Sequence, residues 1–189
     1  KISEIEDSDA IIITAGIARK PGMSRDDLIE TNFNIMKKIG LAIKEYSPKS
    51  FVICITNPLD AMVWCLKEIS GIDKNSIVGM AGILDSSRFK FFLGQELNVS
   101  FENIQTMVMG GHGDTMVPLL EYTSISGIPI KKFIKKNKVS ENRLNDIIER
   151  TRNGGGEVVS LLKESSAFFS PASSAIEMLE SFIFDQKKI

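Results

Sequence analysis

The segment Met109-Gly110-Gly111-His112-Gly113-Asp114-Thr115 carries the only histidine among 189 residues. Imidazole, with an ordinary pKa of about 6.5, takes and gives a proton near neutrality. The glycines around it allow a sharp turn and close approach of a ligand. Asp85 and Arg88 stand at i and i+3 in Leu84-Asp85-Ser86-Ser87-Arg88-Phe89, so on a helix they look the same way. A carboxylate can hold the proton on one ring nitrogen of a histidine and stabilise the imidazolium. A guanidinium fork takes a carboxylate through two parallel hydrogen bonds. Arg19 and Arg25 flank the Pro21-Gly22 turn of one loop, six residues apart; two or three arginines converging would suit a small dianion. Asn57-Pro58 follows an apolar run, where α/β sheets place ligand contacts. Taken singly, each signal is weak. An exposed Asp-x-x-Arg pair stabilises a helix by only a few tenths of a kcal/mol, roughly, and asparagine before proline is an ordinary strand terminator.

The elements that must position these residues follow from hydrophobic periodicity. Residues 10–14 and Phe51–Thr56 are short continuous apolar runs, the pattern of strands buried on both faces. Between them, Asp26 and Asp27 sit where a helix N-terminus favours negative charge, and Leu28, Ile29, Ile35, Met36, Ile39, Leu41 and Ile43 keep the helical period to about residue 46. A helix over Leu59–Ser70 and a strand over Ile77–Met80 complete a strand–helix alternation, which implies a parallel sheet with helices on its faces. Beyond Gly82 the pattern changes: a helix over Leu84–Leu97, a strand over Ile104–Met109 leading into the histidine loop, hairpin material over Glu121–Ile130, a solvated basic turn over Lys131–Lys138, and two closing helices near 140–163 and 171–185. Gly154-Gly155-Gly156 interrupts the first of these without phosphate-loop spacing, which points to a kink or to close helix packing.

Composition narrows the function. The net charge of −1 favours neither nucleic acid nor an anionic membrane, and no apolar run reaches the length of a membrane span. Cys54 and Cys65 lie in apolar surroundings and read as reduced thiols of a cytoplasmic protein, not as a disulfide or metal ligands. The chain begins at Lys1 without a methionine and ends inside a helical pattern, so it reads as an internal piece of a larger protein.

Thr14-Ala15-Gly16, the run from Arg19 to Leu28, Thr56-Asn57-Pro58-Leu59-Asp60, Leu84-Asp85-Ser86-Ser87-Arg88 and Gly110-Gly111-His112-Gly113-Asp114 follow one another in order. In that order and spacing the sequence resembles the NAD-dependent 2-hydroxy-acid dehydrogenases, the lactate/malate dehydrogenase family. Thr151-Arg152-Asn153-Gly154-Gly155 and Ser166-Ala167-Phe168-Phe169-Ser170-Pro171 make it most similar to the lactate-dehydrogenase-like malate dehydrogenases of bacteria. The resemblance spans essentially the whole chain. It implies the C-terminal half of a Rossmann-type parallel sheet over residues 1–82, followed by an α+β substrate domain over 83–189.

The roles that the resemblance implies are these. His112 exchanges the substrate's hydroxyl proton, with Asp85 as its partner. Arg88 binds the carboxylate beside the reacting carbon, and Arg25 polarises the carbonyl. Asn57 holds substrate and cofactor together. Asn32, the Ile55-Thr56-Asn57 turn and the backbone of Thr14, Ala15 and Gly16 contact NAD. Arg19 selects the substrate: glutamine at this position suits lactate, whereas arginine pairs with the second carboxylate of malate or oxaloacetate, which could not be buried cheaply without a cation. A homodimer or homotetramer is implied, with no metal. The G-x-G-x-x-G fingerprint and the acidic residue that follows it are expected upstream of Lys1, and a terminal strand and helix after Ile189. Lactate or another 2-hydroxy acid is the neighbouring expectation for the substrate. A folded binding or assembly piece lacking the cofactor cradle is the alternative of a different class.

Overall fold

Ala10–Ile13 (β1) and Phe51–Cys54 (β2) pair in parallel, Ala10 opposite Phe51 and Ile13 opposite Cys54, and β2 pairs in parallel with Ile77–Gly79 (β3). The order β1-β2-β3 leaves β2 in the middle, and all four of its residues are buried. That is why its sequence is a continuous apolar run without alternation. Parallel neighbours need long crossovers; these are the helices Arg25–Tyr46 (α1) and Leu59–Ser70 (α2), which pack along each other. Met36 and Ile43, two turns apart on α1, are fully buried. This computed structural model describes residues 1–18, 25–113, 115–136, 139–163 and 167–188, the side chain of Arg25 excepted.

The chain divides into two compact units, Lys1–Met80 with Ala175–Ile189, and Ala81–Ser174. The division expected at residue 82 thus falls after Met80. The stretch from Ala175, expected with the substrate domain, groups with the first unit, where Phe182 stacks on Phe51 with ring centroids 4.0 Å apart and planes 6° from parallel.

The second unit contains Gly82–Leu97 (α3), Ile104–Gln105 (β4), Val108–Gly110 (β5), Met116–Pro118 (β6), Ser124–Ile125 (β7), Ile128–Pro129 (β8), Ile130–Lys136 (α4) and Glu141–Leu162 (α5). A last helix, Phe169–Ile183 (α6), begins here and contributes its residues from Ala175 to the first unit. The core of the second unit gathers Phe89, Leu93, Ile104, Val108, Met116, Ile125, Ile130 and Ile147. The strand expected over Ile104–Met109 is two short strands, because each half finds a different partner: β4 joins the antiparallel sheet β4-β7-β8, while β5 forms a hairpin with β6. The basic run expected as a solvated turn begins as α4. Ile130 is fully buried, and Phe133 and Ile134, at i+3 and i+4, pack on the same core, an apolar face that the interleaved lysines conceal in the sequence. Gly154-Gly155-Gly156 does not end α5, which runs through it for 22 residues; of the three, Gly154 is the one that serves close packing. Among the described residues no helix is long and apolar enough to cross a membrane.

Candidate active site

The second unit joins His112 to Asp85 and Arg88, which already share one helix. Asp85 lies in the first turn of α3, its amide donating to Ala81 O. The next residue, Ser86, accepts a hydrogen bond on Oγ from the Val108 amide at 2.9 Å, which ties the start of β5 to the start of α3. The β5–β6 hairpin pairs Gly110 with Met116 and carries His112 in its connection. Gly110 turns that connection at φ 85, a conformation that side chains other than glycine's rarely adopt. His112 Nδ1 then reaches Asp85 Oδ2 at 2.8 Å, and Arg88 NH1 reaches Asp85 Oδ1 at 3.3 Å.

Each oxygen of the Asp85 carboxylate therefore has its own cationic or N–H partner. The side chains of Asp85, Arg88 and His112 are 3%, 14% and 18% exposed, so the carboxylate is covered while the histidine and arginine keep an opening to solvent. A carboxylate only accepts, so Nδ1 carries the hydrogen and Nε2 presents a lone pair. Such an imidazole is set to take a proton on Nε2 and, once charged, to give it back. Burial pushes the Arg88 guanidinium down from its ordinary value, with the Asp85 charge opposing. A guanidinium stays charged in proteins, so a half-buried cation stands beside the histidine. Arg152 on α5 supports the hairpin from behind, its Nε donating to Met116 O at 3.2 Å.

In the first unit the ends of β1 and β2 form a pair of loops held together from below. The Ile55 amide donates to Ile13 O at 2.8 Å, and Thr56 Oγ1 donates to Ala15 O at 2.8 Å. The Asn32 carboxamide accepts from the Ile17 amide at 2.8 Å and donates to Ile17 O and Asn57 O at 3.2 and 2.7 Å. Asn32 is 0% exposed, so its side chain is a strut between the loops; a direct cofactor contact, the expected role, would need a surface that this side chain does not have. The hydroxyl of Thr56 is likewise buried against the neighbouring loop. Thr14, Ala15, Gly16 and Asn57 are exposed, and Ile55 is partly so. These are the carboxyl ends of parallel strands, where α/β sheets receive ligands. A methyl group on Gly16 would overlap Thr56 Cγ2, so bare backbone is required there. Exposed backbone N–H and C=O groups at these strand ends fit the carboxamide of a nicotinamide ring, which needs donors and acceptors in both redox states.

Arg19 and the side chain of Arg25 lie outside the described residues. Among the described residues no group of three His, Cys, Asp or Glu could hold a metal ion. Sequence reasoning missed Ser86 and Arg152: each acts through a backbone group 22 or 36 residues away, and no local pattern announces such a partner.

A parallel sheet with open loops at its strand ends, and a second unit that joins a histidine, an aspartate and an arginine, define an α/β protein with a titratable cluster in its second unit. More particularly, the chain belongs to the lactate/malate dehydrogenase family. Residues 1–79 match its NAD binding domain and residues 83–189 its alpha/beta C-terminal domain. Among solved structures it is similar to the malate dehydrogenase of Cryptosporidium parvum, 45% identical with a TM-score of 0.93 over 100% of this chain and 60% of that one. It is 49% identical to the apo malate dehydrogenase of Picrophilus torridus, with a TM-score of 0.91 over 99% and 56% of the two chains. The lactate dehydrogenase of Eimeria maxima, solved with NADH and oxamate, is 45% identical with a TM-score of 0.90 over 97% and 56%. The chain thus spans less than two thirds of the length of these relatives.

Proposed function

We propose that the protein carrying this chain is an NAD-dependent malate dehydrogenase, interconverting L-malate and oxaloacetate. The observation that carries the dehydrogenase reading is the Asp85 carboxylate shared between His112 Nδ1 and Arg88 NH1. In the oxidative direction His112 Nε2 accepts the hydroxyl proton, and the Asp85 charge stabilises the imidazolium that results. Arg88 binds the substrate carboxylate through its fork. Arg25 polarises the carbonyl, and Asn57 orients substrate and cofactor. NAD, when bound, supplies the acceptor for the hydride that leaves the same carbon. Thr14, Ala15, Gly16 and the Ile55-Thr56-Asn57 turn hold it through backbone groups, with Asn32 keeping that surface in shape.

Malate is preferred to lactate because Arg19 offers a cation to a second carboxylate. The similarity to lactate dehydrogenases favours the second reading, a lactate or other 2-hydroxy-acid enzyme. Steady-state kcat/KM on oxaloacetate against pyruvate tests the choice: a clear preference for oxaloacetate is expected, and Arg19→Gln should move the ratio towards pyruvate. A preference for pyruvate in the unaltered enzyme would overturn the malate assignment. We further propose a homodimer or homotetramer working in the cytoplasm, in keeping with the exposed Trp64 and Leu41 of the first unit and the two buried free thiols.

A further inference from the structure

Gly154 is buried on α5 against Arg88 of α3. A methyl group at Gly154 would stand 2.9 Å from Arg88 Cδ, closer than a side-chain carbon tolerates, and 3.4 Å from Nε, at the edge of ordinary contact. At Gly155 the same group would meet the guanidinium nitrogens at 3.7 and 3.8 Å, an ordinary contact, and at Gly156 it would meet nothing. The three consecutive glycines are therefore not equivalent. Arg88 is not free to swing aside, because NH1 is held by Asp85 and the Asp85 carboxylate is held in turn by His112. Alanine is the better residue for a helix interior, so a buried glycine in the middle of a 22-residue helix calls for a reason outside the helix.

We propose that Gly154 is a positioning residue: its missing side chain forms the slot in which the Arg88 stem lies, and this sets where the guanidinium stands relative to His112. The inference rests on the reading of Arg88 as the carboxylate fork. Gly154→Ala forces the stem outward by about 0.5–1 Å, the distance from the clash to a normal carbon–carbon contact. A fork moved in this way loses carboxylate binding in the ground state and the transition state alike, which appears in KM and not in kcat.

The test uses the full-length enzyme with oxaloacetate and pyruvate. Gly154→Ala is expected to raise the KM of the preferred keto acid about tenfold or more, with kcat within about threefold. NADH affinity should be unchanged, and the cost of the clash in melting temperature should be partly offset by alanine's better helix propensity. Gly155→Ala should leave KM within about twofold, since its contacts are ordinary. In an Arg88→Ala background Gly154→Ala should add nothing. An unchanged KM in Gly154→Ala beside a raised KM in Arg88→Ala overturns the slot while leaving the reading of Arg88 in place. An unchanged KM in Arg88→Ala overturns the reading itself and the slot with it. Should Gly154→Ala not fold, the double variant decides: recovery of a folded protein supports a clash with Arg88, and equal failure overturns it.

Discussion

Asp85→Asn isolates what the shared carboxylate does, because the amide keeps the shape and removes the charge. In the structure both oxygens are engaged, one by His112 Nδ1 at 2.8 Å and one by Arg88 NH1 at 3.3 Å, and the side chain is only 3% exposed. Asparagine offers one oxygen and one NH2, so one of the two donors must then face another donor. If the oxygen turns to Arg88, the histidine is driven to the other tautomer and Nε2 no longer presents its lone pair. If it turns to His112, the tautomer survives, but the imidazolium formed during turnover has lost its counter-charge. A hydrogen bond to a charged group contributes about 1.5–3 kcal/mol. Two unit charges about 4 Å apart attract by about 4 kcal/mol at the effective dielectric of a site near the surface. The loss therefore lies between about 2 and 4 kcal/mol, a fall in kcat/KM of roughly thirtyfold to a thousandfold. Steady-state reduction of oxaloacetate, followed by NADH absorbance, reads it directly, with NADH affinity and far-ultraviolet circular dichroism as controls. NADH binding should be unaffected, since the loops proposed to hold it belong to the first unit. A folded Asp85→Asn enzyme with kcat/KM within about threefold of the parent would refute the coupling of His112 to this carboxylate.

Asn32→Ala should lower stability by about 1–3 kcal/mol, because it strands polar groups that the carboxamide now pairs, the Ile17 amide and the Asn57 carbonyl among them. It should also weaken NADH binding, by loosening the loop pair and not by removing a contact. Thermal melts and a fluorescence titration check both, and a normal melt with lost binding would restore Asn32 to a direct contact. Burial pushes the Cys54 thiol up to about 11, so at mildly alkaline pH its thiolate is depleted about a hundredfold relative to the ordinary value. Native iodoacetamide labelling followed by mass spectrometry should find Cys54 unmodified until the protein is unfolded in urea. Rapid labelling of the native chain would contradict its burial.

The sequence by itself determined whatever depends on near neighbours. The apolar runs at 10–14 and Phe51–Thr56 mark buried strands because a strand covered on both faces has no polar side to show. Asp85 and Arg88 share a face because helical spacing is local. Order and composition of the motifs carried the family resemblance, which the matches over residues 1–79 and 83–189 bear out. Only the tertiary structure decided what depends on long-range packing. His112 finds Asp85 across 27 residues, and Val108 finds Ser86 across 22, so the trio exists only once α3 lies beside the β5–β6 hairpin. The run Ile104–Met109 divides because its two halves meet different partners, a choice that hydrophobicity alone does not record. Asn32, a cofactor contact by the family resemblance, is a buried strut in the structure because two loops close over it. Gly154, a weak point of its helix by propensity, gains its purpose from an arginine on another helix. Periodicity and charge act over one or two turns of chain, whereas the positions of these groups are set by which surfaces exclude water together.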